Sequence, residues 1–174
     1  MKRDIQHVDD DIVRKKRIIE QALYSDPDIV EILDDPDIDP SCPEDLLYRS
    51  IYPFIRIPGT QDTSKNYITF SISDMGLSSR NEVMKNQYVQ FVVFVHKDMA
   101  KKPILGMARH DCLGYIIKDI FHLSNMLGPQ LVLVSSAEGA TDTDYITRTL
   151  KFELVDHNST KPLRTHPNEL GSWR

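Results

Sequence analysis

Nothing in the chain constrains its fold more than the run YVQFVVFVHKD, from Tyr88 to Asp98. Read as an extended strand, its alternate residues point to opposite faces of a sheet. Val89, Phe91, Val93 and Val95 form one uniformly apolar face. Burying them under a helix is worth about 1.5–3 kcal/mol per side chain, enough to organise a small domain. Tyr88, Gln90, Val92, Phe94 and His96 form the other face, half apolar and half polar. That face is too apolar for free solvent and needs a cover, from the same chain or from a second copy.

The flanking sequence supplies the rest of a frame. DDDIVRKKRIIEQALYS reads as a helix. Asp9 to Asp11 offer an N-cap and acids at the positive end of the dipole, and Ile12, Ile19, Ala22 and Leu23 make a narrow apolar stripe. The basic run Arg14-Lys15-Lys16-Arg17 is expected on a solvated side of this helix. A second, short helix follows, with Asp26 as N-cap, Pro27 at its first position, Ile29, Ile32 and Leu33 inward and Pro36 as its stop. Closely spaced aspartates and prolines then predict an extended loop.

Ile51 to Ile57, broken by Pro53 and bounded by Pro58, reads as a short edge strand. YITFSIS alternates and pairs naturally with the Tyr88 run, and the polar stretch DMGLSSRNEVMKN between them is expected to project as a long connector. From Ile104 to Leu127 the period is helical, with Leu113, Ile116, Ile117, Ile120, Phe121, Ser124 and Leu127 on one face and Gly128-Pro129 as the stop. LVLVSS and YITRTLKFELV complete the strands, joined by the turn-rich AEGATDTD. In the last strand Arg148 interrupts an inward row of Ile146, Leu150, Phe152 and Leu154.

The expected architecture is α+β: an antiparallel or mixed sheet with one long helix packed on one face, N-terminal helices, an extended loop and a C-terminal tail. Residues 1–13 read as an arm and 14–155 as a single domain, with 26–45 as an acidic helix-loop segment. Residues 156–174 read as a polar tail, too poor in apolar side chains to pack by itself. The single tryptophan, Trp173, is either a fraying end or an anchor onto a neighbouring subunit.

Charge and composition narrow the function. Residues 1–50 carry 14 acids and 7 bases, a balance of −7, and the remainder carries 12 acids and 14 bases, a balance of +2. Conventional nucleic-acid binding is disfavoured, because phosphate affinity depends on clustered Lys and Arg. No stretch has the roughly 18 uninterrupted apolar residues of a membrane span, and the charged MKRDIQHVDDD has no apolar signal segment, so assembly in a cytosol is expected. The two cysteines, Cys42 and Cys112, have no CxxC spacing and read as free thiols.

Catalytic and metal signatures fail on spacing. Cys112 and His122 lie ten positions apart on the expected helix, about 15 Å along its axis, and cannot form a dyad. None of the six histidines has a partner histidine three or four residues away. Asp35-x-Asp37-x-Asp39 begins like an EF-hand loop, but Pro40 and Leu46 stand where glycine and glutamate are needed. Asp142-x-Asp144 reads as turn chemistry. The expectation is a protein that is not an enzyme and uses no cofactor or metal.

The order of these blocks resembles the tail terminator, or tail-completion, family of tailed bacteriophages. The likeness is carried by RIIEQALYSDPDIVEIL, IYPFIRIPGT, YITFSIS, YVQFVVFVHKD, MARHDCLGYIIKDIFHLSNML and the closing LVLVSSAEGATDTDYITRTLKFELV, over roughly residues 14–155. The acidic insertion Asp34 to Asp45 and the tail after Val155 depart from the family's compact pattern. The resemblance implies a structural virion protein that forms a ring at the neck, typically a hexamer, ends the tail tube and joins tail to head. It implies as partners further copies of itself, the tail-tube protein and a head connector or head-closure protein. DNA would pass through the channel without sequence-specific binding, and no membrane would be involved. On this reading a second copy covers Tyr88, Gln90, Val92, Phe94 and His96, with Trp173 as a further contact. The alternatives are another neck ring, such as a head-closure or adaptor protein, and a non-phage module whose acidic segment 26–45 captures a basic partner.

Overall fold

The computed structural model describes residues 11–39, 41–59, 65–78, 81–100, 106–141 and 144–157. Helix α1 (Asp11–Ser25) and helix α2 (Pro27–Leu33) lead, and a 3-10 turn (Pro43–Leu46) follows. Strands β1 (Ile51–Tyr52), β2 (Tyr67–Ser78) and β3 (Asn81–His96) come next, then the one-turn helix α3 (Lys97–Ala100) and helix α4 (Arg109–Phe121). Strands β4 (Val132–Ala140) and β5 (Tyr145–His157) close the chain. The class is α+β with one five-stranded mixed sheet in the order β1-β2-β3-β5-β4; β1 runs parallel to β2 and the other pairs are antiparallel. No helix among the described residues is long and apolar enough to cross a membrane.

Register puts the apolar rows on one face. Ile68, Phe70 and Ile72 of β2 lie opposite Val93, Phe91 and Val89, and Leu150 and Phe152 of β5 lie opposite Phe91 and Val89. Phe91 is the centre of the core: its ring meets Phe121 at 4.8 Å, Phe152 at 5.7 Å and Phe70 at 5.9 Å. Helices α1, α2 and α4 cover this face together through Ile19, Leu23, Ile29, Leu33, Leu113 and Ile117.

The expected single long helix is a correction. Helix α4 has 13 residues and stops at Phe121. Leu123 adopts a left-handed backbone (φ 62°), so its N–H bonds to Leu131 O at 2.7 Å, while Leu131 N–H returns to Ser124 O at 2.9 Å. This closed loop delivers buried Leu127 and Leu131 to the core without a further helical turn. Two connectors are shorter than expected for a related reason. The backbone of DMGLSSRNEVMKN continues both strands as a long hairpin to the Ser78↔Asn81 pair, and AEGA of AEGATDTD extends β4. Polar residues are no obstacle to extended backbone that pairs along its length.

The N-terminal expectations fare better at α2 than at α1. Asp26 Oδ1 accepts hydrogen bonds from Asp28 N and Ile29 N, both at 3.0 Å, and Ile29, Ile32 and Leu33 are buried. Helix α1 spans Asp11–Ser25, and β5 runs to His157. Arm residues 1–10, tail residues 158–174 and Trp173 with them lie outside the described residues. The solvated basic face is corrected at Lys15, which is fully buried on α1. Its Nζ donates to Asp11 Oδ2 at 2.8 Å and Gln87 Oε1 at 2.5 Å, and Gln87 Nε2 donates to Asp74 Oδ1 at 2.6 Å. This polar network fastens the first turn of α1 to the β2–β3 hairpin.

The acidic loop is fastened by a base from elsewhere. Lys65 Nζ lies 2.9 Å from Asp35 Oδ1 and 2.5 Å from Asp37 Oδ2, and Ser50 Oγ donates to Asp35 Oδ2 at 2.5 Å. Burial pushes the Asp35 carboxyl up, but the hydrogen bonds from Ser50 and Lys65 outweigh it and hold the group below its ordinary value. A carboxyl depressed in the folded state contributes stability above its unfolded pKa of about 3.9, and that contribution is lost as pH falls through the folded value. Lys65→Met is therefore expected to be less stable than wild type near neutrality. The gap should narrow in urea melts as pH falls through the depressed folded-state value of Asp35, where the carboxylate that Lys65 pairs with is lost.

Candidate functional site

The second face of β3 divides into two halves. Towards His96 it is aromatic and closed: Val92 and Phe94 are buried with Tyr52, Tyr67 and Tyr145. Register brings them together, with Tyr67 opposite Phe94 and Tyr145 opposite His96. Tyr67 and Tyr145 rings lie 5.9 Å apart, and Phe94 meets Tyr145 edge-on at 6.4 Å. The Arg56 guanidinium lies 4.6 Å from the Tyr52 ring centre and 5.6 Å from that of Tyr67. At Val92 and Phe94, then, the chain supplies its own cover. Phe94→Asp is expected to lower the thermal midpoint steeply. Removing a packed phenylalanine costs about 3–5 kcal/mol, and forcing a carboxylate among the rings adds to it. Circular-dichroism melting measures this.

The other half of the face is polar and open. Tyr88 and Gln90 are half-buried. Lys151 Nζ lies 4.0 Å from the Tyr88 ring centre, and the Tyr88 hydroxyl is 3.5 Å from Glu153 Oε1. His96 is half-buried with its ring 5.3 Å from Tyr145, and its Nδ1 accepts from Asp98 N at 3.3 Å.

Strand β4 presents a surface the sequence reading did not single out. It is the outer strand at one edge of the sheet, nine residues long, and every residue but half-buried Leu133 is exposed. Natural edge strands are blunted by lysine, proline, shortness or bulges. VLVSSAEGA has no lysine or proline, and its one irregularity is the register shift at Val134. Exposed Val132 and Val155 share a shallow depression with Glu153, and Val134 is 48 % exposed. Beyond the opposite edge, around β1, lies a second exposed apolar group: Tyr48, Phe54, Ile55 and Ile57, the last 68 % exposed. The available signal was in the sequence as LVLVSS, a strand with apolar residues on both faces and no gatekeeper.

Arg148 ties the β4 edge to α4. It lies opposite Val93 on the inner face of β5, where an apolar side chain is expected. Gly114 makes the room: a Cβ there would meet Arg148 Cγ at 2.8 Å. The guanidinium reaches Asp111 Oδ1 at 2.9 Å and Glu138 Oε1 at 2.7 Å, and Nε donates to Ser136 Oγ at 3.0 Å. His110, Asp111 and Glu138 bring ligand atoms within 4.8 Å of one another, the spacing of a metal site. Arg148 already supplies the positive charge between the two carboxylates, so the set is an ion-paired bracket. Alanine at position 114 would gain about 1 kcal/mol of helix propensity, but overpacking costs about 1–3 kcal/mol. Gly114→Ala is therefore expected to destabilise the protein in urea melts, and Gly114→Ala/Arg148→Ala to recover part of the loss.

The sequence-level chemical candidates stay apart. Cys112 is buried against the core, and burial, with the Asp28 charge, pushes its thiol up, the opposite of an activated nucleophile. His122 Nδ1 accepts from Leu133 N at 3.1 Å and helps turn the chain into β4. Asp35 and Asp37 are engaged by Lys65, and Asp142 lies outside the described residues.

No curated relative matches the sequence significantly. The YomW family model matches residues 18–154, from the middle of α1 almost to the end of β5. That span takes in all of the sheet but the last three residues of β5, and the chain therefore belongs to the YomW family, a phage-derived family of SPbeta-like prophage type.

Proposed function

We propose that this protein is a structural virion component that joins copies of itself into a ring at the phage neck, ending the tail tube and meeting the head. The observation that carries the reading is the β4 edge: nine residues, all exposed but half-buried Leu133, without lysine or proline, at the opposite side of the sheet from the apolar group Tyr48, Phe54, Ile55 and Ile57. Two different sticky surfaces at opposite edges favour head-to-tail association, and such association closes into a ring when the rotation between neighbours allows it. Membership of a phage-derived family supports the setting, and the likeness in block order to tail terminators supports the neck position and the expected sixfold number. The open half of the second face, Tyr88 and Gln90, flanks the same contact. No catalytic step is assigned. Val132→Lys/Val134→Lys tests the reading, since both valines are exposed and the monomer should fold unchanged. Negative stain is expected to show rings for wild type and none for this variant.

A further inference from the structure

A groove of about 490 Å³ opens where α1 and α2 meet the acidic loop. Tyr24, Val30, Ile38 and Leu46 line it with apolar surface, and Glu31 and Asp34 are exposed on its rim. A mostly apolar concavity of this size with a few polar groups has the form of a site for one anchoring side chain. Residues 26–45 contain nine acids and no base; Lys65 pairs with Asp35 and Asp37 and Arg109 with Asp34, so exposed Glu31 is the rim's main offer to a cation.

The segment after His157 is complementary on both counts. It carries Lys161, Arg164 and Arg174 against the single acid Glu169, a balance of 3 − 1 = +2, and its largest apolar side chain is Trp173. Reach is sufficient. Lys15 in α1 bonds Gln87, and Gln87 pairs with Leu154 of β5, so the start of α1 lies level with the last residues of β5. The groove lies at the far end of α1, at Tyr24, after about 22 Å of helix at 1.5 Å per residue. Residues 158–173 extended span about 53 Å at 3.3 Å per residue.

We propose that Trp173 lodges in this groove of its own molecule, with the basic residues of the 158–174 segment against the acidic rim. Tethering supplies the high effective concentration that a small contact needs. The contact orders the segment along α1 and keeps its tryptophan off the sheet edges. It is independent of ring formation.

Because Trp173 is the only tryptophan in the chain, its fluorescence reads this contact alone. The full chain is expected to emit to the blue of a synthetic peptide covering residues 158–174 and to resist acrylamide quenching. Glu31→Lys, at an exposed position, and high salt should each shift emission towards the peptide's value. Wild type should keep its blue shift at every protein concentration, and so should the non-assembling Val132→Lys/Val134→Lys variant. Peptide-like emission from the full chain would overturn the proposal, as would a blue shift indifferent to Glu31→Lys. A blue shift that appears only on concentration, or vanishes with the β4 lysines, would assign Trp173 to a neighbouring copy and overturn the same-molecule contact.

Discussion

Phe91→Ala is expected to destabilise the domain by about 3–5 kcal/mol, the largest effect of any single core truncation. The ring has no exposure and touches Phe121 from α4, Phe70 from β2 and Phe152 from β5. Three elements lose their shared contact at once, and the surrounding rings are too large to collapse into the space without leaving their rotamers. Small domains carry only about 5–15 kcal/mol in total, so the variant should be largely unfolded at modest denaturant. A urea melt followed by far-UV circular dichroism gives the number. A shift below about 1 kcal/mol would mean that the core is not organised around Phe91.

Lys15→Met should also destabilise the domain, by about 1–3 kcal/mol, for a different reason. Methionine matches lysine in length and is at home in an apolar setting, so transfer alone favours the change. The loss comes from what remains. Asp11 Oδ2 loses a donor at 2.8 Å and Gln87 Oε1 a donor at 2.5 Å, and both groups are held in place by neighbours. Asp11 is part-exposed and keeps Arg14 at 3.2 Å, so the larger cost falls on buried Gln87, whose Oε1 loses the Lys15 donor. The double change Lys15→Met/Asp11→Leu should recover a measurable part of the loss, and simple additivity of the two would sink the network account.

The core was legible in the sequence because period and register carry it. The alternation of Tyr67–Ser73 and of the Tyr88 run fixed which residues face inward, and Asp26-Pro27 fixed the start of α2. Other features needed tertiary context. Position 15 lies on the Ile12–Ile19 stripe at helical spacing, yet a lysine among Arg14, Lys16 and Arg17 reads as solvated unless Gln87 is known to wait opposite. Arg148 stood out on an apolar row, but its explanation is the missing Cβ of Gly114, 34 positions away. The early end of α4 rests on the left-handed Leu123, a conformation that leucine does not advertise. Half of the second face of β3 is filled by Tyr52, Tyr67 and Tyr145, and only the strand order makes them neighbours. The β4 edge was missed because pattern predicts which residues pair inward and is silent on which strand ends a sheet.

Native mass spectrometry of the pure protein across a concentration range, beside the Val132→Lys/Val134→Lys variant, tests the central claim most directly. The expected result is a closed oligomer of one subunit number for wild type and a folded monomer for the variant. Monomer at every wild-type concentration, or rings that survive both lysines, would contradict assembly through the β4 edge.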